Sequence, residues 1–317
     1  MKDSFGREIT YLRLSVTDRC NLRCRYCMPE EGVCKKRHED MLTEEEMVCA
    51  VQAAASLGVR KLRLTGGEPL IKKNILSLCA RCAGVEGIDE LCLTTNGTLL
   101  PALAAPLRAA GVDRLNISLD TLNAEKYAHI TRLGTLSQAL RGVEAALAAG
   151  FARVKLNTVL IGGFNDDEIG ALAALTRQWP VDVRFIELMP MTQSEAFGAA
   201  AYLPCDAVLN ALPELVPETP DGGVARLYRL PGAQGRVGLI SAVSHHFCAG
   251  CDRIRITADG RVKPCLHSAQ ELCIKGMDFA AMRGELARAI LAKPACHLPL
   301  SAAERSGAGR DMNQIGG

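Results

Sequence analysis

Short runs along the chain alternate apolar and polar residues, and longer stretches with helical spacing separate them. In YLRLSVT, Leu12, Leu14 and Val16 fall on one face of a strand, with Arg13 and Ser15 on the other. Leu62 and Leu64 oppose Arg63 and Thr65 in the same way. Leu115, Ile117 and Leu119 oppose Asn116, Ser118 and Asp120, and Val154 and Leu156 oppose Lys155 and Asn157. Before these strands, Ala/Leu-rich helical stretches end on Gly58, Gly87, Gly111 and Gly150, where glycine suits the left-handed position just past a helix end. With ELCLTT and VDVRFIELM added, the pattern predicts about six parallel strands joined by right-handed helical crossovers. The predicted fold class is α/β, an incomplete (β/α)6 TIM-like barrel.

The apolar faces must meet the surrounding helices, so the polar faces look inward. A buried cation without a partner is very costly. One such residue would mean little, since strand ends are often solvated. Arg13, Arg63 and Lys155, on separate strands, predict an interior cavity for a polar, anionic ligand.

Past residue 190 the pattern changes. Pro and Gly become frequent, and short strands are predicted at ARLYRL, RVGLISAV, DRIRITAD and GRVKPCL, with ADG as a hairpin turn between the last two. A helix is predicted near 278–291. Residues 1–190 read as the partial barrel, and 191–317 as a β-containing extension that closes one mouth.

Candidate chemistry comes from cysteine. Cys20, Cys24 and Cys27 form C-x3-C-x2-C after the first strand, and Cys248, Cys251 and Cys265 form C-x2-C-x13-C in the extension. Three thiolates can hold three irons of a 4Fe–4S cubane and leave the fourth iron to a small molecule. Zinc is the competing ligand set, with His38 or His267 as fourth donor. Two triplets, each one ligand short, are explained together by two clusters with open irons. The other eight of the 14 cysteines (Cys34, Cys49, Cys79, Cys82, Cys92, Cys205, Cys273 and Cys296) read as packing residues, the helical Cys79/Cys82 pair included. The first residues, MKDSFGREIT, lack the apolar region of a signal peptide, and no apolar run reaches membrane-spanning length. A reducing cytoplasm is the expected compartment. A net charge of +2 provides no general field for nucleic acid or an anionic membrane. Arg253 and Arg255 share a strand face beside the second triplet, as a phosphate fork or as surface ion pairs.

CNLRCRYC resembles the CxxxCxxC signature of radical S-adenosylmethionine enzymes, and TGGEPL at Thr65–Leu70 resembles their GGEP segment. With CAGC…C and the terminal IGG, nearly the whole chain is similar to the GTP 3′,8-cyclase family, lyases that open molybdenum cofactor biosynthesis. The resemblance implies a first 4Fe–4S cluster on Cys20, Cys24 and Cys27, with S-adenosylmethionine lined by Tyr26, Gly67, Ser118 and Met189. It implies a second 4Fe–4S cluster on Cys248, Cys251 and Cys265, its open iron facing the guanine of GTP. Arg13, Arg63, Thr94, Lys155, Arg253 and Arg255 would contact GTP, and Arg13, Arg253, Arg255, Gly316 and Gly317 would serve catalysis. It further implies an external one-electron reductant and a downstream cyclic pyranopterin monophosphate synthase, and it allows a homodimer. Two rivals have distinct signs. A peptide-modifying radical enzyme usually carries more cysteines in its extension and no Gly-Gly end. A zinc-bound nucleic-acid regulator needs a basic stripe. The loop Glu30–Met41, with its extra Cys34, departs from the family pattern.

Overall fold

The computed structural model describes residues 1–33, 36–301 and 304–316; Cys34 and Gly317, named above, lie outside them. Six strands form the centre of one sheet: β1 (Tyr11–Ser15), β2 (Lys61–Thr65), β3 (Glu90–Thr95), β4 (Arg114–Ser118), β5 (Arg153–Leu160) and β6 (Val181–Glu187). They lie side by side in chain order and all run parallel. The crossovers carry α1 (Glu44–Ser56), α2 (Ile75–Ala83), α3 (Leu100–Ala109), α4 (Ala124–Thr131), α5 (Leu136–Ala148) and α6 (Ile169–Gln178). Thr43 starts α1 with a reciprocal capping box to Glu46. Gly58, Gly111 and Gly150 directly follow a helix's last capping residue with positive φ, as the helix-stop reading requires; α2 instead ends at Ala83 with Gly84 as its cap, and Gly87, also at positive φ, belongs to the turn beyond.

The extension supplies α7 (Asp206–Ala211), β7 (Val216–Pro217), β8 (Arg226–Arg229), β9 (Val237–Ile240), β10 (Arg253–Ile256), β11 (Arg261–Lys263), β12 (Leu272–Cys273), α8 (Phe279–Leu291) and α9 (Met312–Ile315). Its strands lengthen the sheet at both edges. β10 lies parallel on β1, followed by antiparallel β11 and β12; β9 lies parallel on β6, followed by antiparallel β8 and β7. The sheet does not close, so the barrel is incomplete. β7 and β12 are two residues each, too short for alternation to reveal.

One continuous core joins both parts. Leu12, Leu62, Leu115 and Leu156 pack with Met47, Leu78 and Val143 of the helices, and with Val237 and Leu286 of the extension. Each fully buried leucine contributes about 2 kcal/mol. That apolar face fixes the register, because a slip of one residue would turn every side chain over. Arg255, Arg13 and Arg63 consequently stand in one row across β10, β1 and β2. Asn116, Lys155 and Asp182 make a second row across β4, β5 and β6, and Ser118, Asn157 and Arg184 a third. Among the described residues, no helix is long and apolar enough to cross a membrane.

Candidate active site

The first cysteine triplet sits on the loop leaving β1, and the TGGEPL turn after β2 holds that loop in place. Gly67 N–H donates to the Thr17 carbonyl at 2.8 Å, and Glu68 N–H to the Arg19 carbonyl at 2.8 Å. A Cβ on Gly66 would lie 2.5 Å from the Thr17 carbonyl, and one on Gly67 2.2 Å from that of Arg19. Only glycines allow so close an approach. The Glu68 carboxylate accepts from Thr95 Oγ1 at 2.8 Å, Asn96 N–H at 2.7 Å and Leu70 N–H at 3.0 Å. Burial pushes it up to about 7. Behind the triplet, the end of α4 hydrogen-bonds to the loop: Arg23 N–H and Arg25 N–H donate to the Thr131 and Ile130 carbonyls, both at 2.9 Å.

Cys20, Cys24 and Cys27 open onto a cavity of about 200 Å³, and Tyr26, Gly67, Thr94, Ser118 and Met189 also line it. Burial pushes the Cys20 thiol up to about 11 and raises Cys24 and Cys27 further, each thiolate opposing its neighbour. Tyr26 donates to Asp120 at 2.7 Å; burial pushes this carboxyl up to about 6.

A second cavity, of about 370 Å³, holds the cation rows. Arg13, Arg63, Lys155, Arg253 and Arg255 line it, and so do Cys248, Cys251 and Cys265. Burial, followed by the neighbouring Arg184, pushes Lys155 down to about 7. Arg184 and Arg255 are each pushed down to about 10, chiefly by burial. These shifts describe cations crowded out of water, with Asp182 and Asp221 beside Lys155 and Arg184 offsetting only part of the cost. Cys251 is held low: burial raises it, but Lys293 and Arg253 outweigh that effect. Asn157, Ile186, Met189 and Met312 line both cavities, so the two share a wall. Gly316 packs between the two linings, its carbonyl accepting from Arg255 Nη1 at 2.8 Å and its Cα side facing Thr65.

Thr94 faces the thiol cavity, and its Oγ1 lies 3.3 Å from Arg63 Nη1, bridging the two spaces. His38 is exposed and lines neither cavity, whereas His267 lines the cation cavity, its Nδ1 2.9 Å from Ser306 Oγ. Of the cysteines read as packing residues, Cys79, Cys82, Cys92 and Cys205 are buried and Cys49 and Cys273 partly so, but Cys296 is exposed. Arg184 was missed in the strand alternation although VDVRFIE carries the same signal: Val181, Val183 and Phe185 face the core and Asp182 and Arg184 the other side. Glu68 and Asn96 had no such signal, because turns position them, and Met312 sits on α9, whose four residues are too few for a periodicity to show.

The donor set fits a cluster in the first cavity. Among the described residues its wall offers three thiols, with no histidine and no fourth cysteine. Its two carboxylates on that wall, Asp120 and Glu187, are already hydrogen-bonded to Tyr26, Val159 N–H, Cys205 N–H and Val243 N–H. A cationic cluster would also relieve the mutual repulsion of the thiolates. Among the described residues, no three His, Cys, Asp or Glu side chains gather closely enough for a single metal ion.

Residues 14–176 match the family described as Radical SAM superfamily, and residues 181–294 match Molybdenum Cofactor Synthesis C. The chain is 46% identical over 323 residues to GTP 3′,8-cyclase of Alkaliphilus oremlandii, covering 100% of both chains. It is 49% identical over 328 residues to GTP 3′,8-cyclase of Pelotomaculum thermopropionicum, again covering 100% of both. Among solved structures, Streptococcus suis SuiB shares the fold, with a TM-score of 0.64 at 14% identity over 91% of this chain and 67% of that one. Full-length identity near one half, on a fold that lines one cavity with three thiols, places the chain in the GTP 3′,8-cyclase family of the radical S-adenosylmethionine superfamily.

Proposed function

We propose that the chain converts GTP to 3′,8-cyclo-7,8-dihydro-GTP in the first step of molybdenum cofactor biosynthesis. The observation that carries this reading is the wall shared by a three-thiol cavity and a cation-lined cavity. It would set a radical source beside a polyanionic nucleotide. Cys20, Cys24 and Cys27 would hold the first 4Fe–4S cluster, with S-adenosylmethionine against Tyr26, Gly67, Ser118 and Met189. Loaded, this site would supply the 5′-deoxyadenosyl radical chemistry that moves the C3′ hydrogen of GTP and lets C3′ bond to guanine C8, with one electron and one proton completing the dihydro ring.

The chain's own residues bind, orient and exclude water. Arg13, Arg63, Lys155, Arg184 and Arg253 would neutralise the triphosphate, and Arg255 would hold Gly316 at the shared wall. Cys248, Cys251 and Cys265 would hold a second 4Fe–4S cluster, which would supply a Lewis-acidic contact for the guanine. An external one-electron reductant, a downstream cyclic pyranopterin monophosphate synthase and a cytoplasmic setting complete the reading, as does a division into a barrel (1–190) and an extension (191–317).

The test is anaerobic reconstitution with iron and sulfide, followed by S-adenosylmethionine, GTP and dithionite. 5′-Deoxyadenosine that forms only with GTP is expected. Formation indifferent to GTP would remove the substrate assignment, and a colourless zinc protein that forms none would remove the radical chemistry.

A further inference from the structure

The segment leading to Gly316 is held by an ion cluster outside both cavities. Arg310 Nε and Nη2 donate to Oε1 and Oε2 of Glu271, each at 2.7 Å. Its Nη1 lies 3.2 and 3.1 Å from the two carboxylate oxygens of Asp259. The three side chains are 15%, 19% and 13% exposed, so solvent screens them little. Asp259 sits in the β10–β11 turn and also receives Lys36, from the loop that follows the first triplet, at 2.5 Å. Lys263 contacts Glu271 at 3.2 Å and donates to the Ala308 carbonyl at 3.3 Å.

Beyond Arg310 the chain forms wall. Met312 lines both cavities, and Asn313 Nδ2 donates to the Asp18 carbonyl at 2.9 Å. Gly316 is wedged in, since a Cβ there would lie 2.4 Å from Thr65 Oγ1. The helix in this stretch, α9, has four residues, too few to be stable alone. So short a segment needs tertiary contacts to hold it in place, and the guanidinium of Arg310 is a rigid fork suited to supplying one.

We propose that Arg310 is a positioning residue whose clasp on Glu271 and Asp259 sets the terminal segment across the seam between the cavities. This rests on the proposed cyclase reaction and adds to it a residue that touches neither substrate nor cofactor. A displaced segment would open the seam to water, and radical formation would run ahead of cyclisation. Removing the guanidinium leaves Lys36 on Asp259 and Lys263 on Glu271, so neither carboxylate is stranded and the fold survives.

The experiment compares the reconstituted wild-type enzyme with Arg310→Ala, Arg310→Lys and Glu271→Gln. Hydrogen exchange over 311–316 is read first, followed by cyclised product per 5′-deoxyadenosine. In Arg310→Ala, exchange at the segment speeds at least roughly tenfold while β1–β6 stay protected. Its kcat for cyclised product falls roughly 10- to 100-fold, with KM for GTP within about twofold. Arg310→Lys recovers part of the loss because lysine cannot fork, and Glu271→Gln shows a weaker form of both effects. Unchanged exchange in Arg310→Ala, or faster exchange with unchanged product per 5′-deoxyadenosine, would overturn the proposal. A wild-type enzyme making no GTP-dependent 5′-deoxyadenosine would instead defeat the functional reading, and the exchange result would still decide whether the clasp exists.

Discussion

Lys155 is a buried cation pushed down toward neutrality. Burial and Arg184 hold its free-state value at about 7, below the ordinary lysine range. A bound triphosphate favours the charged form and raises it, so binding near pH 8 takes up a proton. The sign follows: GTP affinity is level below about pH 7 and falls as pH rises above it. Titration calorimetry in buffers of different ionisation enthalpy should show this uptake, and Lys155→Met should abolish it. Arg184→Ala should raise KM for GTP roughly 10- to 100-fold, as loss of a charged hydrogen bond of about 1.5–3 kcal/mol implies. An unchanged KM would remove Arg184 from the anion site. Alternation made Arg13, Arg63 and Lys155 legible because their strands also show a clear apolar face. Glu68 falls in the TGGEPL segment, but its anchoring was not legible, since its partners Thr95 and Asn96 come from the end of another strand.

At the scale of elements, close approach decides where substitutions hurt. A Cβ on Gly142, in the middle of α5, would sit 2.1 Å from the Gly97 carbonyl in the loop after β3. Gly142→Ala should therefore force α5 away and cost about 1–3 kcal/mol in denaturant unfolding, with little change in KM. Helix propensity alone would predict the opposite sign, since alanine favours helix, so the sign of the shift separates the two effects. The helix-stop glycines were readable because each follows an Ala/Leu run and precedes a strand. Gly142 was not, because its constraint comes from a loop distant in sequence.

For the whole molecule, the two triplets should prove separable. Cys24→Ala should abolish 5′-deoxyadenosine formation and lower bound iron by about one cluster of four. Cys251→Ala should lose a similar amount of iron, and GTP should no longer stimulate cleavage. Anaerobic iron analysis with electron paramagnetic resonance reads both. Equal loss of all iron in either variant would mean that the two sites load together.

The sequence by itself determined the parallel sheet, the split into an apolar outer and a polar inner face, and both thiol triplets. Those depend on local periodicity, helix-stop glycines and spacing within one loop, which a linear string carries in full. Tertiary structure alone decided that β10 lies on β1 and β9 on β6, which aligns Arg255 with Arg13 and Arg63 and lengthens the sheet at both edges. It also decided that the two cavities share a wall and that Arg310 meets Asp259 and Glu271. These are contacts between segments far apart in sequence, set by how the core packs and not by any repeat along the chain.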